Sequence, residues 1–391
     1  MGSLLVGLVI GLDLAGAFAR APRAARFLRG AAALLLFGIV VGVAYRPAFD
    51  GYDTDLWTYL LIVERVADGQ DVLRLDHFTL EPPASPHVSL VWLLLGGLRR
   101  ASGLPALVLV HALGIASAAF LSYAAWRLSA RLLLPVLRWP ALVLFWLSLP
   151  ETWGAVVLGR YLSLGFVLLA AATLLPGPGQ AQGRLARRQL LAGLWIALAF
   201  YTHLFGGVLA LATVLVVWAA SRGEADAIGP RRLSTAVALG LLLSLPCLLY
   251  AFQTLGLRKS AAHLWRPDQL EVGAFRILSP ASLPGLVSWG VLGLALVGLL
   301  VPAPRGLELA QRLARIGTAL ALLLLFTPLY QLGAGLLGGW MMARVAFLAF
   351  PWIAAVLGLV GLTTGASWPR HLVATALSVL AAHHAVAREA A

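Results

Sequence analysis

Eight of the sixteen acidic residues lie within positions 50–81: Asp50, Asp53, Asp55, Glu64, Asp68, Asp71, Asp76 and Glu81. A carboxylate held ionised beside a bound hydroxyl acts as a general base, so this cluster is where proton-transfer chemistry is to be sought. The residues that follow its first members sort them. Leu56, Tyr59, Leu60, Val63 and Ala67 keep the i, i+3, i+4, i+7 spacing of an amphipathic helix. Asp53 or Thr54 is placed to cap that helix, and Gly69 to end it in the left-handed conformation. Asp55 then falls in the first turn, where the positive end of the helix dipole favours the ionised form that a base requires. Capping alone accounts for Asp53, and the dipole alone accounts for an acid at Asp55. Both stay candidates.

Composition says what kind of elements must hold these groups. Of the 391 residues, 61% are hydrophobic and 12% charged, whereas soluble domains run nearer half apolar and a quarter charged. One globular core cannot bury that excess, but a bilayer accommodates it at about 20 apolar residues per crossing. Windows 104–126, 190–220, 233–252, 283–301, 318–332 and 344–362 qualify. The net charge of +13 does not point to nucleic acid. Arginines recur in short clusters between the apolar runs: Arg20 to Arg29, Arg127 and Arg131, Arg184 to Arg188, Arg222 to Arg232, and Arg305 to Arg315. That pattern is what the positive-inside rule asks of cytoplasmic loops.

With 20–29 on the cytoplasmic side, the segments alternate consistently, and 46–104 becomes a first outer loop with 253–284 a second. Residues 190–201 and 205–220 form two spans meeting near His203. Segment 305–315 is a basic cytoplasmic helix, and 88–98, which holds Trp92, is a second interfacial helix too short to cross. The fold class is all-α: a single polytopic membrane domain, 1–391, of about 11–12 crossings with amphipathic interfacial helices in the first outer loop. Segment 3–18 is apolar, but its positive charges follow it, the wrong order for a signal peptide. Cys247 is the one cysteine, so there is no disulfide framework and no thiolate metal site. Lys259 stands alone against 28 arginines, a usage that fits a GC-rich bacterial gene.

One stretch carries a family resemblance: Asp53-Thr54-Asp55-Leu56-Trp57-Thr58-Tyr59, then Asp68-Gly69, Asp76-His77-Phe78 and Trp92. It resembles the first outer loop of the GT-C superfamily, the multi-spanning glycosyltransferases that use polyprenyl-phosphate sugars. Protein O-mannosyltransferases, lipid A aminoarabinose transferases and the catalytic subunit of oligosaccharyltransferase belong to it. The chain departs from many members in lacking an Asp-Glu pair after its first span and a large C-terminal outer domain, which leaves subfamily and substrate open.

The resemblance implies an inverting transfer on the outer face. An aspartate takes the acceptor's proton, and cations stabilise the departing phosphate. Asp55 aligns best with the family's base; Asp53 is the close competitor and Asp50 the more distant one. Arg160, Arg258, Lys259, Arg266 and Arg344, at outer span ends, are the phosphate candidates, since guanidinium binds two oxygens at once. Asp76, His77, Glu81, His203 and Tyr330 join them around phosphate or sugar. Polar-turn solvation explains His203 equally, and snorkelling at the interface explains Arg344. His111 reads as a buried hydrogen-bonder. No cofactor is required; a magnesium or manganese ion, if one is used, would sit on Asp53, Asp55 and Glu151. The expected partners are a polyprenyl-phosphate sugar, a glycan, lipid or protein acceptor, and the bilayer, with no nucleic acid. The expected location is a bacterial inner membrane with the site on its periplasmic side. A secondary transporter or flippase is the competing reading, weakened by acid-poor spans and dissimilar halves.

Overall fold

The computed structural model describes residues 54–74, 89–149, 158–175, 185–224, 227, 229–254, 269–282, 287, 289–337 and 342–363. Helix α1, Thr54–Ala67, runs as its spacing predicts, and Gly69 ends it at φ +81°, a conformation that costs a Cβ-free residue nothing. Helix α2, Leu90–Ser102, follows and packs across it. The two bury Ile62, Val63, Val91, Trp92 and Leu95 in a satellite core with Ala106, Leu109 and Val110. Leu94 and Leu98 of α2 stay exposed, as an interfacial helix requires.

The main bundle is α3 (Ala106–Leu132), α4 (Arg138–Ser148), α5 (Leu158–Leu174), α6 (Leu185–Thr202), α7 (Leu204–Ser221), α8 (Pro230–Leu243), α9 (Leu245–Gln253), α10 (Trp289–Leu300), α11 (Glu308–Leu325), α12 (Leu329–Leu337) and α13 (Pro351–Thr363). Among the described residues, Ala106–Leu132, Leu204–Ser221 and Arg344–Leu362 are each long and apolar enough to cross a membrane. Two bent pairs, α8 with α9 at 57° and α11 with α12 at 72°, bring that number to five if each is one span. The break expected at His203 separates α6 from α7.

Sequence expectation and structure differ in three places. Segment 305–315 is not a separate basic helix: α11 starts at Glu308 and continues to Leu325 because nothing between Arg315 and Thr318 interrupts it. Arg344 opens the apolar stretch Arg344–Leu362 as expected, but its first turns are not α-helical. It begins a 3-10 turn, Arg344–Ala349, and α13 starts only at Pro351, whose ring suits a first helical position. Finally, segment 253–284, expected as an irregular outer loop, contains a two-stranded antiparallel hairpin, β1 (Gln269–Val272) and β2 (Phe275–Leu278), the one sheet among the described residues.

Small residues set the closest approaches. A Cβ on Gly358 would strike the Leu294 carbonyl, and one on Gly298 would strike that of Ala354, so α10 and α13 touch backbone to backbone. Gly317 of α11 meets the Leu348 carbonyl of the 3-10 turn in the same way. These pairings fix directions: α3 runs parallel to α5, with Phe120 against Gly165, and α6 parallel to α8, with Ile196 against Gly240.

The described arginines of the basic clusters consequently gather at one end of the bundle. There Arg188 of α6 donates from Nε to the Thr173 carbonyl at 2.9 Å and from Nη2 to those of Leu174 and Leu175 at 2.8 and 2.7 Å, closing the C-terminus of α5. Arg222 lies over the Trp218 ring, 4.0 Å from its centre. Arg312 pairs with Glu224, and Arg315 donates to the Leu299 carbonyl at 2.9 Å.

Candidate functional site

The described members of the acidic cluster, Asp55, Glu64, Asp68 and Asp71, sit at the opposite end, because α1 packs on α2 and on the first turns of α3. Local geometry makes this seat rigid. Tyr59 stacks on Trp92 with ring centres 4.2 Å apart and planes 14° from parallel. Gly96 of α2 lies directly on Val66, and a Cβ there would also come 3.0 Å from the Val63 carbonyl. Leu162 of α5 and Tyr250 of α9 close the satellite core from the bundle side. Asp55 occupies the first turn of α1, one helical turn before Tyr59; only its backbone is described.

Two other members of the cluster are engaged elsewhere. Glu64 accepts two bonds from Arg99 Nε, at 3.2 and 3.0 Å, tying α1 to α2. Asp71 accepts from the Leu73 N–H at 3.2 Å and pairs with Arg74 at 3.5 Å, both within the turn after α1. Asp68 is exposed at the helix end. The structure thus assigns Glu64 and Asp71 to holding the loop in shape.

Arg160 and His203 converge on this same end. Arg160 is in the first turn of α5, and His203 stands at the N-cap of α7 in extended backbone, φ −164° and ψ 120°. Its N–H donates to the Ala199 carbonyl at 3.0 Å and its own carbonyl accepts from Gly207 at 3.2 Å, so His203 itself keeps both of its backbone hydrogen bonds. Gly206 packs directly on Ser163, whose hydroxyl donates to the Ala199 carbonyl at 3.0 Å. Arg160 and His203 therefore each stand three residues before one tight contact, on helices that run side by side in the same direction. Both are half-buried.

An aromatic row leads from Arg160 to Arg344. Its neighbour Tyr161 meets Trp146 at 5.9 Å, Trp146 meets Phe145 at 5.6 Å, and Phe145 meets Phe347 at 6.3 Å. Arg344 stands three residues before Phe347, on the same edge of a 3-10 turn. It is buried, 4% exposed, which is not the position of a snorkelling interface anchor. Tyr330 is fully buried on α12 beneath the hairpin, with its hydroxyl beside the Gln269 side chain.

Asp53, Asp76, His77, Glu81, Glu151, Arg258, Lys259 and Arg266 lie outside the described residues, as does Asp50. Two of the three carboxylates proposed for a divalent ion, Asp53 and Glu151, are among them, and within the described residues no group of three or more His, Cys, Asp or Glu could hold a metal. Sequence reasoning missed Ser163, Tyr161, Trp146 and Tyr250. Each lies on an apolar helix whose spacing singles out none of its members.

No protein-family model, no curated protein and no solved structure matches the chain.

Proposed function

We propose that the protein is a polytopic membrane glycosyltransferase of the GT-C type. It moves a sugar from a polyprenyl-phosphate donor to an acceptor hydroxyl at the end of the bundle opposite the arginine clusters. One observation carries the reading: the helix that bears Asp55 in its first turn is packed rigidly at the same end as Arg160 and His203. A base and a cation for the leaving phosphate are what the reaction needs, and both are brought to one end.

In this reaction Asp55 accepts the acceptor's hydroxyl proton. The oxygen attacks the anomeric carbon, the bond from that carbon to the phosphate oxygen breaks, and the polyprenyl phosphate leaves with the electron pair. Configuration inverts. Arg160 and Arg344 neutralise the phosphate, His203 donates to phosphate or sugar, and the Tyr161–Trp146–Phe145 row offers an apolar wall beside them. Asp53 remains the alternative base, and Arg258, Lys259 and Arg266 are further phosphate groups from the second outer loop. In this reading the chain makes the roughly 11–12 crossings expected from its sequence, with this end facing the periplasm of a bacterial inner membrane.

The test is transfer in proteoliposomes from a panel of polyprenyl-phosphate sugars. Asp55→Asn should lower turnover at least a hundredfold, in keeping with roughly 10²–10⁴-fold for a general base, while elution profile and melting temperature stay unchanged. Unaltered transfer by that variant refutes Asp55 as the base.

The bent helix pairs favour a second reading, a transporter or flippase of a lipid-linked substrate, because discontinuous helices commonly form transport sites. Counterflow of substrate into proteoliposomes without any sugar transfer would decide for it.

A further inference from the structure

The hairpin in the second outer loop has two unlike faces. Its register pairs Gln269 with Leu278, Leu270 with Ile277, Glu271 with Arg276 and Val272 with Phe275. Cross-strand partners share a face and neighbours alternate. One face therefore carries Gln269, Glu271, Arg276 and Leu278, and the other Leu270, Val272, Phe275 and Ile277. The first face joins the protein at its Gln269–Leu278 end and carries an exposed ion pair at the other. Leu278 is buried, Arg276 pairs with Glu271 at 3.1 Å, and the Arg276 N–H donates to Gln331 Oε1 of α12 at 3.0 Å. The second is wholly apolar, yet Leu270, Val272 and Phe275 are 48%, 50% and 51% exposed.

Such a face on a four-residue hairpin is not an accident of a floppy loop. Gly273, at the first position of the two-residue turn, takes φ +61°, which the mirror-image hairpin turns require. The strands are then held in register against α12. Leu332, adjacent to Gln331, is itself exposed, as are Leu329 on α12 and Leu322 and Leu323 on α11. The apolar face of the hairpin thus stands beside a helix pair that bears exposed leucines and has the length and apolarity of one bent crossing.

We infer that the hairpin is a membrane-interface anchor: its Leu270–Val272–Phe275–Ile277 face lies in the acyl-chain boundary of the bilayer, while Glu271 and Arg276 stay with the protein and the headgroups. Lipid is the occupant that this neighbourhood selects, because exposed leucines are what a spanning helix pair turns towards hydrocarbon. The inference rests on the membrane placement of the bundle and not on the sugar-transfer chemistry.

The experiment uses full-length protein in phosphatidylcholine vesicles, on a Cys247→Ser background. Single cysteines at Phe275→Cys, Val272→Cys, Glu271→Cys and Leu323→Cys carry an environment-sensitive fluorophore. Nitroxide lipids labelled near the headgroup or near the bilayer centre serve as quenchers. Labels at Phe275 and Val272 should be quenched several-fold more by the shallow nitroxide than by the deep one, that at Leu323 by nitroxide lipid in general, and that at Glu271 weakly and by the shallow nitroxide alone. Quenching at Leu323 with none at Phe275 and Val272 overturns the anchor alone. Absence of quenching at all four overturns the membrane placement itself. A Phe275 label shielded from nitroxide lipid but responding to added polyprenyl phosphate also overturns the anchor, by making the face part of a donor groove.

Discussion

Replacing Arg188 by Met separates two roles that an arginine at a membrane boundary can play. As a topology charge, Arg188 is interchangeable with its neighbour Arg187. In the structure they differ: Arg187 is exposed, whereas Arg188 is buried and closes three carbonyls at the C-terminus of α5. Each carbonyl left unsatisfied costs roughly 1–3 kcal/mol, so the gross loss is about 3–9 kcal/mol. Removing a buried guanidinium also relieves its own desolvation, and water can reach part of a helix end, which brings the expected net loss to about 3–5 kcal/mol. At roughly 2 °C per kcal/mol for a large chain, that is a fall in melting temperature on the order of 6–10 °C. Arg187→Met should change it by less than about 1 °C, as surface substitutions away from such features usually do. Arg188→Lys should fall between, since an ammonium is a point donor and cannot span three carbonyls as the planar fork does. The assay is thermal unfolding of purified protein in one detergent. Equal melting of the Arg188→Met and Arg187→Met variants refutes the capping role and leaves Arg188 a topology charge.

Other substitutions test the packing that holds the candidate site. Gly96→Val must push α1 away from α2, because Val66 and the Val63 carbonyl already occupy the space, whereas Gly97→Val meets nothing within 4 Å. The first should abolish sugar transfer with a modest drop in melting temperature and the second should leave both intact; identical behaviour would deny that α2 positions Asp55. Gly358→Leu, driven into the Leu294 carbonyl, should prevent recovery of monodisperse protein, and a well-behaved variant would show that α10 and α13 do not touch. Glu64→Gln breaks a half-exposed pair with Arg99 and should cost no more than about 1 kcal/mol, with the cost shrinking in high salt. A large, salt-independent loss there would mean that Glu64 does more than tie two helices.

What the sequence determined by itself was local. The helix of Asp55, its end at Gly69, the break at His203 and the gathering of arginine clusters at one end follow from spacing, capping and charge. Those act within a few residues, or through the bilayer's demand for about 20 apolar residues per crossing. The hairpin also had a local signal, Gly273-Ala274 between alternating apolar residues, overlooked because the surrounding loop reads as irregular. Only the tertiary structure could decide how chemically equivalent residues divide their roles. Glu64 and Asp71 are engaged in ion pairs that the cluster's spacing does not reveal. Arg188 caps a neighbouring helix while Arg187 faces outward, and Arg344 is buried where its sequence context reads as an interface anchor. Arg160 and His203 come to the same end of neighbouring helices because Gly206 lets α7 approach Ser163. In a chain this apolar nearly every helix face is equally able to pack, so the choice falls to where small residues let backbones touch and which buried polar groups find partners across the fold.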